Sequence, residues 1–531
     1  MTSLWLLEAA VALVAVIQAA RIAVKPVVRR EIREHSRQVV PLLAAACGGV
    51  ALVLWAAVTW PVVRHGLAVA LAAALMAAWW RARPAYGRGR GLPPGSLGLG
   101  QSLDAITDRR FYFNQAARFG PVFKMSQFGR PVACVVGLAR ERSLLMEHAS
   151  SLSGASLPYN RLVPRGMLRY MHHEEHKAVA PLFRATFAGM ALEQCEPAVR
   201  TSYRHALDRL AADSAAIDVG VRARPYFEQA ILAALSHVFF GLPPGDPRIE
   251  GFARLVPALA LARAGGPAWR RQILTALDSA TTLVRDIQRS GADRSSDEAP
   301  SALRALVRAA PDALDEPSIA GNFILTFRLA ASDLTGLHDW IFKQLCDCRE
   351  ALTRVGTPSP VQAPLPGSMP DPATCIVMET LRLEQSEFLY RTVTRPVEFE
   401  GMMIPAGWLV RLCIQESHRD PVVFPEPDRF DPERFARRSY SRTEYSPFGA
   451  DAHGCMGARL ALFLGRVFVE ELSRGPEWRV VSDGPLDRGT RHRHHWTPSP
   501  QLRVVFQPEP GAARRESRSR PALRRSPSSS R

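Results

Sequence analysis

The sequence has 531 residues, 47% apolar and 22% charged, a balance that excludes disorder as the main state and allows one large core with appendages. Lys plus Arg number 67 against 50 Asp plus Glu, and the net charge of +17 points to an anionic partner, either nucleic acid or a membrane surface. Eight cysteines in so long a chain exclude a dense disulfide framework and fit a reducing compartment.

The first 83 residues differ from everything after them. Val39 to Val63 is a 25-residue run without a charge, long enough to span a bilayer. Residues 3–20 are apolar apart from Glu8, and Leu67 to Trp80 form a shorter run that ends in Trp79-Trp80-Arg81, an interfacial anchor pattern. A signal peptide is the alternative for the first run, but its front lacks positive charge. Arg21, Lys25, Arg29, Arg30, Arg33 and Arg37 follow the first run, and Arg81, Arg83, Arg88 and Arg90 follow the third. If three helices cross, positive charge on the inner side puts both basic segments and the rest of the chain in the cytoplasm, with Arg64-His65-Gly66 as a tight outer hairpin. Residues 84–100 are rich in Gly, Pro and Arg, and Pro93-Pro94 makes a stiff hinge.

This divides the chain into an anchor of one to three transmembrane helices (1–83), a linker (84–92), a mostly helical α+β domain (93–508) and a basic Ser/Pro-rich tail (509–531) that should be disordered. The excess positive charge sits beside the membrane runs and in the tail, which favours membrane lipid as the anionic partner and argues against nucleic acid.

The most informative segment runs from Ser446 to Ala461. Cys455 lies in a loop of small residues directly before the apolar helical pattern Leu460, Leu462, Phe463, Val467 and Phe468. A thiolate beside a helix N-terminus is stabilised by amides and by the helix dipole. It serves either as a nucleophile or as the axial ligand of a haem iron, and by itself it is equally readable as an inert buried Cys. Glu379 and Arg382 share a helix face at i and i+3, and the Asp431-Pro432-Glu433-Arg434-Phe435 stretch offers a third partner in Arg434.

Taken together and in this order, the segments around Glu379-Thr-Leu-Arg382, Pro432-Glu433-Arg434-Phe435 and Phe448 to Ala461 resemble the cytochrome P450 family of haem-thiolate monooxygenases. The resemblance covers roughly residues 93–505. It implies the cytochrome P450 fold, haem b as cofactor, Cys455 as the iron ligand, and Phe448, His453, Arg391 and His176 as further haem contacts, with Arg391 and His453 at positions that hold the propionates. On the central helix from about Ile319 to Leu345 it places Asp333 at the acid of the proton relay. The hydroxyl position that follows is Leu334; Thr335, the nearest hydroxyl, is the catalytic candidate beside Asp333, although on a regular α-helix it should point about 100° away unless the helix is locally unwound.

Other departures are Asp451 where the family usually has Gly, Ala180 one turn after His176 where it usually has Arg, with Lys177 or Arg184 as possible substitutes, and Glu384 to Glu387 where prolines are common. His172 and His176 stand at i and i+4 without the Glu that a zinc protease needs as its base, His492, His494 and His495 read as a solvated loop, and no Gly-rich phosphate motif marks a flavin or nicotinamide domain. The resemblance further implies an apolar substrate of lipid, terpenoid or polyketide type and an external ferredoxin or flavoprotein reductase, with Arg442 and Arg459 as docking charges. Leu334 keeps a haem-thiolate isomerase, lyase or peroxygenase open, and the several lost positions keep open a non-catalytic haem sensor.

Overall fold

The computed structural model describes residues 10–17, 59–84, 86–98, 100–127, 130–154, 162–217, 219–259, 266–292, 301–356, 369–384, 389–449, 454–488 and 496–506. Most of the Val39–Val63 run, the basic segment 21–37, His453 and the C-terminal tail lie outside them.

Helix α1, Pro61–Ala82, has 22 residues and no buried side chain, and among the described residues it is the one helix long and apolar enough to cross a membrane. Arg64, His65 and Gly66 lie inside it, so the expected hairpin at these residues does not form. Pro61 is preorganised for the first helical turn and starts the helix before them. One interior glycine costs about 1 kcal/mol, too little to break a helix of this length.

Five strands form the main sheet: β1 (Val122–Gln127), β2 (Arg130–Val135), β3 (Leu152–Gly154), β4 (Leu389–Val393) and β5 (Leu409–Leu412). Their order is β1-β2-β5-β4-β3, and only the β2–β5 pairing is parallel. Apolar clusters cover both faces, one around Leu97, Val122, Val410 and Trp408 and the other around Phe111, Phe123, Met125 and Leu409. β5 is buried along its whole length, as a central strand with two covered faces should be.

The larger body is helical and buries the main core. α2 is His173–Ala188, α3 Leu192–Ala215, α4 Arg224–Phe240, α5 Pro317–Asp347, α6 Pro372–Leu383 and α7 Ala458–Arg474. α5 begins with Pro317 at its first position and runs 31 residues through the centre, about 46 Å at 1.5 Å per residue. Its Phe323 and Phe327 pack with Phe239 and Phe240 of α4 and with Phe252, and Phe240 stacks on Phe252 at 4.5 Å. α6 starts at an Asp371 cap that accepts the Thr374 amide at 2.9 Å. α6 and α7 pack closely: a Cβ on Gly465 would lie 2.9 Å from Val377.

Candidate active site: a thiol loop on a buried ionic scaffold

The scaffold is built on α6. Glu379 and Arg382 are completely buried, and Arg434 is nearly so. Arg382 meets Glu379 through two bonds of 2.7 and 2.8 Å, and Glu379 also accepts from Arg434 Nε at 3.1 Å and from the Asp431 amide at 2.9 Å. Arg382 further donates to the carbonyls of His418, Pro427 and Arg429. One carboxylate thus holds two cations, and Arg382 ties three turns of the following segment to α6.

His418 extends this scaffold to the thiol loop, a role that nothing local in the sequence His418-Arg419-Asp420-Pro421 marks. Its carbonyl takes Arg382, while its ring Nε2 accepts the Ser446 amide at 2.9 Å. Burial lowers its pKa to about 3, so the ring stays neutral and keeps this acceptor. The loop then turns at Gly449, φ +73°, whose carbonyl bonds Ser446 Oγ, and the Cys455 amide donates to the Phe448 carbonyl at 2.9 Å. Phe448 itself packs against the main core. Among the seven described cysteines, Cys455 alone is exposed. The loop leads into α7, with Gly457 as its cap residue and the Ala458 amide directed at the Cys455 carbonyl.

A second group of side chains lies on β4. Arg391 is 6% exposed and donates to the neighbouring Tyr390 carbonyl. Burial, and next the Arg169 guanidinium, depress its pKa to about 10. Arg391 pairs with Gly154 of β3, and a Cβ on Gly154 would come within 2.8 to 3.0 Å of the Tyr170 and Met171 backbone. This absence of a side chain lets the turn Leu168–Tyr170 lie against β3 and brings Arg169 toward Arg391. Nothing local in the sequence marks Arg169.

His176 is buried on the first turns of α2, whose start is tied to β3 by a 2.8 Å contact between His172 Nδ1 and Ser153 Oγ. Ala180, one turn on, is fully buried; Lys177 is exposed and faces Glu174 at 3.5 Å, and Arg184 is exposed.

On α5, Asp333 is half-buried and Leu334 is 5% exposed. The Thr335 hydroxyl is buried and donates to the Ala331 carbonyl at 2.8 Å, within the helix. His338 places Nδ1 2.8 Å from the Leu334 carbonyl and Nε2 2.8 Å from Tyr203 Oη, so Nδ1 donates to the carbonyl and the tyrosine donates to Nε2. Burial lowers the His338 pKa to about 4, consistent with this neutral form.

The sequence model described as Cytochrome P450 matches residues 373–484, which run from α6 through the thiol loop and α7. The chain belongs to the cytochrome P450 family. It is 25% identical to cytochrome P450 26A1 of Xenopus laevis over 437 residues, covering 74% of this chain and 86% of that protein. It is 24% identical to abscisic acid 8'-hydroxylase CYP707A1 of Solanum lycopersicum, covering 74% of this chain and 87% of that one. The solved structure of retinoic acid bound cyanobacterial CYP120A1 superposes with a TM-score of 0.61 at 20% identity, covering 78% of this chain and 99% of that one, which shows the fold.

This P450 is a monooxygenase of the haem-iron class. The described residues fit such a group: the exposed Cys455 offers a sulfur donor, and Arg391, a buried guanidinium bonded to the Tyr390 carbonyl and destabilised by the Arg169 guanidinium, suits an anion such as a propionate. Both expected docking charges, Arg442 and Arg459, are exposed, and Arg459 also donates to Glu193 at 2.9 Å.

Proposed function

We propose that this P450 is a membrane-anchored haem-thiolate monooxygenase that inserts one oxygen atom of O2 into an apolar small molecule, with haem b held by Cys455 and electrons drawn from a separate ferredoxin or flavoprotein reductase. The observation that carries the reading is the exposure of Cys455 on a loop pinned from both ends, by His418 at Ser446 and by Phe448 at the Cys455 amide. When bound, haem supplies the redox-active iron at which O2 is reduced and cleaved, and the thiolate's electron donation favours that cleavage.

The protein's own contributions follow from the side chains. Cys455 would hold the iron, and Arg391 with Arg169 would neutralise a propionate. His176, and by the family resemblance His453, would complete the haem contacts. Phe448 covers the thiol loop. Asp333, the half-buried acid on α5, carries protons inward, while Leu334 presents hydrocarbon where a hydroxyl would otherwise stand. The Thr335 hydroxyl is already bonded to the Ala331 carbonyl, so it contributes no relay in this geometry. A polar atom of the substrate then completes the hydrogen-bond chain, because a buried polar group needs a partner.

Abscisic acid and retinoic acid, named for two of the similar proteins, are acids on apolar carbon skeletons. An apolar, terpenoid-sized molecule carrying one polar group is the substrate class that agrees with Leu334. Anchoring rests on α1, and the basic residues Arg81, Arg83, Arg88 and Arg90 at and after its end favour the cytoplasmic side for the catalytic domain. Turnover of a panel of such molecules with and without an electron donor tests the reading: donor-dependent hydroxylation supports it. Donor-independent conversion supports instead the isomerase, lyase or peroxide-using alternative that Leu334 also motivates.

A further inference from the structure

The segment between α1 and the sheet runs alongside the edge strand β1 and meets it in a single bridge, Gly95 to Lys124. Pro93 and Pro94 have no N–H, so they can join a sheet only through their carbonyl oxygens. One residue of β1 supplies both donors. The Lys124 amide donates to the Pro94 carbonyl at 2.7 Å, and the Lys124 ammonium donates to the Pro93 carbonyl at 2.6 Å and reaches the Pro84 carbonyl at 3.5 Å. Lys124 is completely buried on the sheet face where Tyr86, Leu92 and Leu97 of the linker pack with Val122 and Trp408. An ammonium is costly to bury, and it persists in such a place when its donors are used.

The neighbouring contacts continue the seam in both directions. Gly95 bridges to Lys124, and a Cβ there would lie 2.2 Å from the Lys124 carbonyl. The Met403 amide donates to the Gly91 carbonyl at 2.8 Å, binding the linker to the hairpin 397–404. Toward α1, the Leu97 amide donates to the Arg81 carbonyl at 3.2 Å, and a Cβ on Gly98 would meet Ala82 at 3.1 Å. An unbroken series of contacts thus runs from the last turn of α1 to β1.

We propose that Lys124 is a positioning residue that locks the catalytic domain to α1, so that the domain has one orientation relative to the bilayer instead of swivelling on a tether. The orientation part rests on the reading of α1 as a membrane anchor; the lock itself does not.

The test uses the full-length holoprotein in nanodiscs. Hydrogen exchange should show the Leu97 and Lys124 amides protected, and Lys124→Met should raise their exchange at least ~10-fold while peptides from β5 and the thiolate-type CO spectrum stay unchanged. Gly95→Ala attacks the same seam from the linker side, at φ +117°, and serves if Lys124→Met fails to fold. In aligned bilayers the haem of the wild-type protein should show strong linear dichroism that falls toward zero in either variant. Free exchange of both amides in the wild type, or unchanged exchange in both variants, overturns the lock. Protected amides with no dichroism overturn the single orientation. A protein that carbonate strips from membranes removes the anchor, and exchange measured in solution still decides the lock.

Discussion

Replacing Glu379 by Ala removes the one carboxylate that two buried guanidinium groups share. The side chain is 0% exposed and accepts four hydrogen bonds, two from Arg382, one from Arg434 and one from the Asp431 amide. Breaking a buried pair by removing one partner costs roughly 3–5 kcal/mol, and an amide left buried without an acceptor adds about 1–3 kcal/mol. Arg382 keeps three carbonyl acceptors, which places the loss toward the lower end, near 5 kcal/mol. That is comparable to the whole stability of a domain, about 5–15 kcal/mol. Glu379→Ala should therefore yield little folded haem protein. Glu379→Gln, which retains the shape and one acceptor oxygen, should be recovered with a lowered urea midpoint. Holoprotein yield, the CO spectrum and urea titration check both. A Glu379→Ala protein with wild-type haem content and midpoint would refute the assignment of α6 as the scaffold's centre.

Glu141 is buried beside Ser417, Glu416 and Arg411, and burial pushes its pKa up to about 8. Its native preference for the proton contributes stability that is complete below the ordinary carboxylate pKa and is lost as pH rises to about 8. Glu141→Gln should thus melt higher than wild type above pH 8, by on the order of a few kcal/mol, with the gap closing toward pH 5; a pH-independent difference refutes this. Full-length protein should stay with the membrane after carbonate extraction, whereas a chain starting near Leu92 should be released or bind only peripherally. With substrate analogues that lack the polar group, Leu334→Thr should lower peroxide release per electron pair by about two-fold or more, since a hydroxyl can donate and accept where leucine can do neither. Equal peroxide release from both proteins with both ligand types contradicts the substrate-assisted relay.

Residues 373–484 were legible because their function depends on short-range spacing. Glu379 and Arg382 share a helix face by periodicity alone, and Cys455 precedes a helix whose apolar pattern is plain. Arg169 was not legible, because it approaches Arg391 only where Gly154 lets two distant backbones touch. Nothing local in the sequence marks Lys124 as buried; the packing of the linker buries it. The hairpin at Arg64-His65-Gly66 was misread because charge interrupts hydropathy without interrupting helical geometry; the helix start is set by Pro61. The relay position was readable as a departure at Leu334, while the engagement of Thr335 with the Ala331 carbonyl depends on a side-chain rotamer that spacing does not fix.

The most direct test of the haem-thiolate assignment is the Soret band of the reduced CO complex in wild-type protein and in Cys455→Ser. The wild-type protein should show the red-shifted band of a thiolate-ligated haem, and Cys455→Ser should lose it even where haem is retained. A thiolate-type band that survives in Cys455→Ser would contradict the assignment of Cys455 as the iron ligand.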